Sequence, residues 1–214
     1  MTKAAVYEHG MGVAMCLQIE NGFACWVIKL QRIGHQKMRG IIFTEYMAFV
    51  GEHAGDEAVD TILSDLEGSI TGAYTSVGNY SFDEFTIIHG RVVEYMGIEA
   101  GDLAYQFGYV LMSRFKEIFP TYFEGVKSGL DFLEKVSVHI HEEVKKLYPD
   151  SNPPDISLKH ESGIPSELIY RSHRPLAPVA HGMATACLED FGDPYRIGAA
   201  TTVGETTIFK LERI

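Results

Sequence analysis

The sequence predicts an α+β domain in which a helical first part is followed by a small antiparallel sheet with one helix interposed. Three observations carry that expectation. From Arg39 to Tyr148 most segments show apolar residues at helical spacing. From Ile156 to the end, short runs bounded by glycine and proline read mostly as strands. Helices gathered first and strands last point to α+β and not to alternating βαβ units. With 214 residues, 46% of them hydrophobic and 22% charged, the chain has ordinary globular composition and length enough for a buried core with a cofactor pocket.

Each element has a local reason. Between Arg39 and His53, Ile42, Tyr46, Phe49 and Val50 recur at helical spacing. Asp56 to Leu66 reads as a second helix, and a Gly/Ser/Tyr-rich loop runs on to Tyr80. Ser81 is expected to cap the next helix, with Glu84 completing a capping box and Gly97 ending it. A further helix from Glu99 to Ile118 stops before Pro120. In Leu130 to Tyr148 the stripe Leu133, Val136, Ile140, Val144 and Leu147 predicts an amphipathic helix packed on a core. Asn152-Pro153-Pro154 separates this helix from the strand-rich tail. Ile156 to His160 and Leu168 to His173 form a hairpin-like pair, Leu176 to Asp190 is helical, and Arg196 to Val203 pairs with Thr206 to Leu211 across Gly204-Glu205.

Residues 1–37 read as an appendage, either the product of an upstream start codon or a stretch without fixed order, ahead of a domain spanning 38–214. The run Met11 to Leu30 is broken by Gln18, Glu20, Asn21 and Gly22, so it is no transmembrane span. Glu8 and His9 follow the early basic residue before any apolar stretch, which is unlike a signal peptide. A net charge of −11 without a basic cluster argues against nucleic acid and anionic lipid as partners. Cys16, Cys25 and Cys187 lack metal-ligand spacing and are too few for a disulfide framework, which suits a reducing cytoplasm. The common nucleotide, zinc-protease and hydrolase motifs are missing.

Two segments carry chemistry. On a regular helix His139 lies at the edge of the apolar stripe near Phe132 and Val136, while His141 points to roughly the opposite side. The two cannot share a metal there. A histidine so placed serves equally well as a hydrogen-bonded core residue. In Glu167 to Arg174, Tyr170, Ser172 and Arg174 alternate, so a strand would project all three from one face. Two hydroxyls and a guanidinium make a fork suited to carboxylates. An imidazole and a carboxylate clamp are what a haem requires, although a plain solvated strand face fits the second segment too.

Tyr170-Arg171-Ser172-His173-Arg174 matches Y-x-S-x-R, and with it the chain resembles the H-NOX family, the haem nitric oxide/oxygen binding domains of bacterial sensors and of soluble guanylate cyclase. Val138 to Asp150 resembles that family's proximal helix, the start at Met38 its N-terminus, and Phe119 to Gly125 its mid-domain segment. The similarity spans Met38 to about Phe191. It implies a b-type haem between the helices and the sheet, with His139 as iron ligand and His141 as the fallback. Tyr170, Ser172 and Arg174 would then hold the propionates, and Pro154 would press on the macrocycle. Ile42, Tyr46, Leu111 and Val179 would contact the cofactor from the distal side.

That resemblance further implies a non-enzymatic cytoplasmic gas sensor that acts on a separate histidine kinase, diguanylate cyclase or chemotaxis protein. Val179 stands where oxygen-binding relatives place a tyrosine, and Leu111 also offers no donor. Nitric oxide, with carbon monoxide, is therefore the expected ligand. An oxygen sensor using Tyr46 as donor is the alternative, and a non-haem metalloenzyme using His139, His141 and Glu142 is a more distant one. With only Cys187 near the C-terminal end, no cysteine-rich zinc site is expected.

Overall fold

A computed structural model describes residues 4–9, 12–19, 22–26, 37–64, 66 and 72–214. The chain forms two compact units, Met1–Gln36 and Lys37–Ile214. In the first, β1 (Ala4–His9), β2 (Gly12–Ile19) and β3 (Gly22–Trp26) pair as an antiparallel meander. The expectation that residues 1–37 lack fixed order falls partly on residues 1–3, 10, 11, 20, 21 and 27–36, which lie outside the described residues.

The second unit opens with β4 (Lys37–Arg39), paired with β5 (Asn79–Ser81) so that Met38 faces Tyr80. Neither short strand was legible in the loop-like composition around them. α1 (Gly40–Ala54) turns Phe43, Tyr46, Phe49 and Val50 inward, the residues its periodicity marks. α2 (Asp56–Ser64) starts with Asp56 and Glu57, whose charges suit a helix N-terminus. α3 (Phe82–Met96) is capped by Ser81, whose Oγ accepts from the Asp83 amide at 3.2 Å. The capping box itself does not form. Glu84 instead accepts from the Tyr74 hydroxyl at 2.6 Å, a partner that the preceding loop supplies. Gly97, at φ 68°, ends α3 in the left-handed conformation that glycine adopts without strain.

α4 (Ala100–Ile118) buries Leu103, Phe107, Leu111 and Met112, and Pro120 begins a short 3₁₀ turn just beyond it. The stretch expected as one regular helix is α5 (Gly129–Lys135), a π-helical turn at Val136–Ile140, and α6 (His141–Leu147). Phe132 and Leu133 are buried, but Leu147, the end of the predicted stripe, is 69% exposed. β6 (Asp155–Glu161), β7 (Ile164–Arg171), β8 (Tyr195–Val203) and β9 (Thr206–Arg213) form an antiparallel sheet in the order β6-β7-β9-β8. α7 (Ala177–Phe191) is interposed between β7 and β8 and packs on α4. This is the α+β architecture that the sequence predicts.

The core falls into two apolar clusters. One gathers Phe43, Tyr46, Phe49, Phe85, Phe107 and Leu111 from the first four helices. The other joins Met112, Phe132, Leu133, Leu168, Tyr170, Leu188 and Phe209 beneath the sheet. Met183 of α7 packs against both. Each large side chain fully buried in them contributes roughly 1.5–3 kcal/mol to folding. Among the described residues no helix is long and apolar enough to cross a membrane.

Candidate functional site

Arg174 is the centre of the polar half of the site. It follows β7, which ends at Arg171, so Tyr170, Ser172 and Arg174 do not alternate along one strand. The ladder closes with the Ser172 amide donating to the Glu205 carbonyl, and a bend carries the chain toward α7. The bend still unites the three. Ser172 Oγ accepts from the Arg174 amide at 3.0 Å, and its side chain also bonds the Tyr170 hydroxyl. Burial pushes the Tyr170 phenol up, against smaller opposing pulls from Ser172 and the Arg174 charge.

The Arg174 guanidinium is 9% exposed and donates to the Asn152 carbonyl at 3.1 Å and the Lys37 carbonyl at 2.8 Å. It takes part in none of the ion pairs among the described residues. Its Nε has no partner, nor does Nε2 of the neighbouring His173. Burial pulls the guanidinium down from its ordinary range. A buried cation satisfied only by carbonyls, with a spare N–H, calls for an anion. A propionate carboxylate fits that donor set.

The two histidines differ sharply. His141 Nδ1 lies 2.7 Å from the Pro154 carbonyl, which can only accept, so Nδ1 carries the proton. Burial pulls this imidazole below its ordinary value. His141 is thus a structural tie between α6 and the proline connector. His139 is exposed and sits in the π-helical turn, away from both apolar clusters. It makes no hydrogen bond among the described residues, so its ring is uncommitted. The position expected beside Phe132 and Val136 assumed a regular α-helix, and the π turn, closed by the His141 amide on the Val136 carbonyl, shifts the register. Such turns occur frequently at functional sites. Beneath it, Ser137 Oγ accepts from the Ile156 amide at 3.2 Å, which ties the turn to β6.

The apolar residues assemble as a set. Ile42, Tyr46, Leu111 and Val179 all belong to, or pack on, the first cluster. Tyr46 is 1% exposed, and its hydroxyl lies 2.7 Å from His89 Nδ1. The sequence did not single out His89, because its partner is 43 residues away and no local pattern announces the pair. Gly108 lets α4 meet α7 at the backbone of Val179, where a Cβ would lie 2.1 Å from the carbonyl oxygen.

His139, His141 and Glu142 form no metal-binding group, and no other three His, Cys, Asp or Glu residues converge among the described residues. A cavity of about 360 Å³ between the end of α7, β8 and Ile214 is lined by none of the candidate residues.

Comparison with known proteins accounts for this arrangement. A haem-NO-binding family model matches residues 39–198. A solution structure of an H-NOX protein from Shewanella woodyi, bound to IWP-051 in the Fe(II)CO state, is 30% identical, with a TM-score of 0.69 over 83% of this chain and 95% of that one. The unliganded Fe(II) H-NOX protein from K. algicida is 26% identical, with a TM-score of 0.73 over 83% and 97%. An H-NOX protein from S. oneidensis in the Fe(II)NO state shares the fold at 21% identity, with a TM-score of 0.74 over 83% and 99%. No curated protein sequence matches this chain. The chain belongs to the haem-NO-binding family, the H-NOX haem-based gas-sensor domains.

Proposed function

We propose that residues 38–214 are a nitric oxide sensor domain in which His139 supplies the imidazole to iron. Tyr170, Ser172 and Arg174 receive the propionates, and the spare Arg174 Nε supports that role. Pro154 presses on the macrocycle from the connector whose carbonyl already anchors His141. Ile42, Tyr46, Leu111 and Val179 line the distal side. Bound haem supplies the ferrous iron to which a diatomic gas adds.

One observation carries the choice of gas. Ile42, Leu111 and Val179 have no donor, and the only hydroxyl among the four distal residues, that of Tyr46, is hydrogen-bonded to His89. Oxygen becomes polarised when it binds and gains from a donor, whereas nitric oxide does not need one. The ferrous protein should therefore take up nitric oxide and carbon monoxide but hold no oxygen in air. An absorption spectrum of the reduced protein exposed to air tests this, and a persistent oxygen complex would refute it.

The signal passes to a separate protein in the cytoplasm, of the histidine kinase, diguanylate cyclase or chemotaxis class, and the domain turns over no substrate. The uncommitted His139, in a turn tied to β6 through Ser137 and Ile156, gives the chain a segment whose position depends on whether iron holds it. Pull-down from the native cell with and without nitric oxide reads the partner. Catalytic turnover by the isolated chain would sink this part of the reading.

A further inference from the structure

Tyr46 and His89 form a hydrogen-bond relay whose direction can be derived. His89 stands on α3, one turn after Phe85, and its Nε2 lies 3.1 Å from the Ala100 carbonyl at the start of α4. A carbonyl only accepts, so Nε2 carries the proton. In a neutral imidazole the other nitrogen is then a bare acceptor, and it faces the Tyr46 hydroxyl at 2.7 Å. Burial pulls the His89 imidazole down from its ordinary value, which favours the neutral ring. Burial also pushes the Tyr46 phenol up, so it keeps its proton and donates it. The Tyr46 ring is held among Phe49, Phe85 and Phe107, at centroid distances of 6.2, 5.0 and 4.9 Å, with little room to turn.

We propose that His89 determines gas specificity in this domain, because by accepting the Tyr46 proton it withholds that hydroxyl from a gas bound at the haem. The proposal rests on the nitric oxide reading above and names the residue that enforces it. His89 is a positioning residue, since it touches Tyr46 and acts only through it. Leucine at this position removes the acceptor. Asparagine, whose side-chain carbonyl stands near the place of Nδ1, restores it.

The test compares the ferrous haem-loaded protein in air as wild type, His89→Leu, His89→Asn and the His89→Leu/Tyr46→Phe double variant. Absorption spectra report oxygen binding. The C–O stretching frequency of the carbon monoxide adduct reports a donor near the ligand. Nitrogen-resolved NMR of the carbon monoxide form of the wild type reports the His89 tautomer. Wild type and His89→Asn should form no oxygen complex. His89→Leu should gain one, with affinity raised by roughly tenfold or more, the scale of one hydrogen bond to a polarised ligand. Its C–O stretch should fall, and both changes should vanish in the double variant.

A His89→Leu protein that binds carbon monoxide yet shows neither an oxygen complex nor a shifted stretch would overturn the role of His89 while leaving the nitric oxide reading intact. A proton found on Nδ1 of the wild-type ring would overturn it without any variant, so a misfolded His89→Leu protein does not shield the proposal. Wild type that itself holds oxygen in air would overturn both readings together.

Discussion

Replacing Gly108 by alanine tests how α4 and α7 set the width of the site. An added Cβ would lie 2.1 Å from the Val179 carbonyl oxygen and 2.8 Å from its carbon, where 3.0 Å is the shortest tolerated separation. A helix carbonyl cannot swing aside as a side chain can. The helices must therefore separate by about 0.9 Å to reach that limit, and by about 1.3 Å to reach ordinary contact at 3.4 Å. Forcing an extra carbon into a packed core costs about 1–3 kcal/mol, and a backbone obstacle belongs at the upper end. The helix-propensity gain of alanine over glycine returns up to about 1 kcal/mol. The clash wins, and a net loss of about 2 kcal/mol is expected. Gly90→Ala is the control, since nothing lies within 4 Å of its Cβ and the propensity gain acts alone. Urea denaturation should thus move the two variants in opposite directions from wild type. If Gly108→Ala proved as stable as Gly90→Ala, the close helix contact would be wrong.

Two further outcomes concern the connector and the buried histidines. Pro154→Ala keeps the carbonyl that accepts from His141 and removes only the ring, so the connector should stay in place while the haem becomes flatter in a crystal structure; equal planarity would count against the wedge. The pH dependence comes from His89 and His181, both held by burial below the ordinary imidazole value of 6.5. Groups with depressed folded values bind fewer protons folded than unfolded, so their contribution is complete above that value and erodes as pH falls below it. Thermal midpoints should drop from about pH 6.5 downward, and a midpoint that rose on acidification through this window would contradict the sign.

How far the sequence carried depended on whether a feature was local. Helix ends were legible where one residue type decides them, as Gly97 does for α3 and Pro120 does after α4. The inward residues of α1 came from spacing alone. The motif around Tyr170 was legible as a set of residue types but not as a shape. The strand pattern runs past Arg171, whereas the ladder partner turns away at Gly204-Glu205 and leaves Ser172 and Arg174 in a bend. Glu84 fails its capping box because a tyrosine ten residues earlier competes for the carboxylate. Nothing in the periodicity marks the π turn around His139, since a shift of one hydrogen-bond register leaves the apolar stripe nearly unchanged. The Tyr46–His89 pair is invisible for a different reason, namely that it joins two helices through a buried contact which only the tertiary fold creates.

The central claim is that His139, and not the buried and already bonded His141, holds the iron. Absorption spectroscopy of the reduced His139→Gly protein, with and without added imidazole, measures it most directly. The intense Soret band of bound haem should be lost and should return when imidazole is supplied. A His139→Gly protein with the unaltered ferrous spectrum of wild type, together with loss of that spectrum in His141→Ala, would contradict the account.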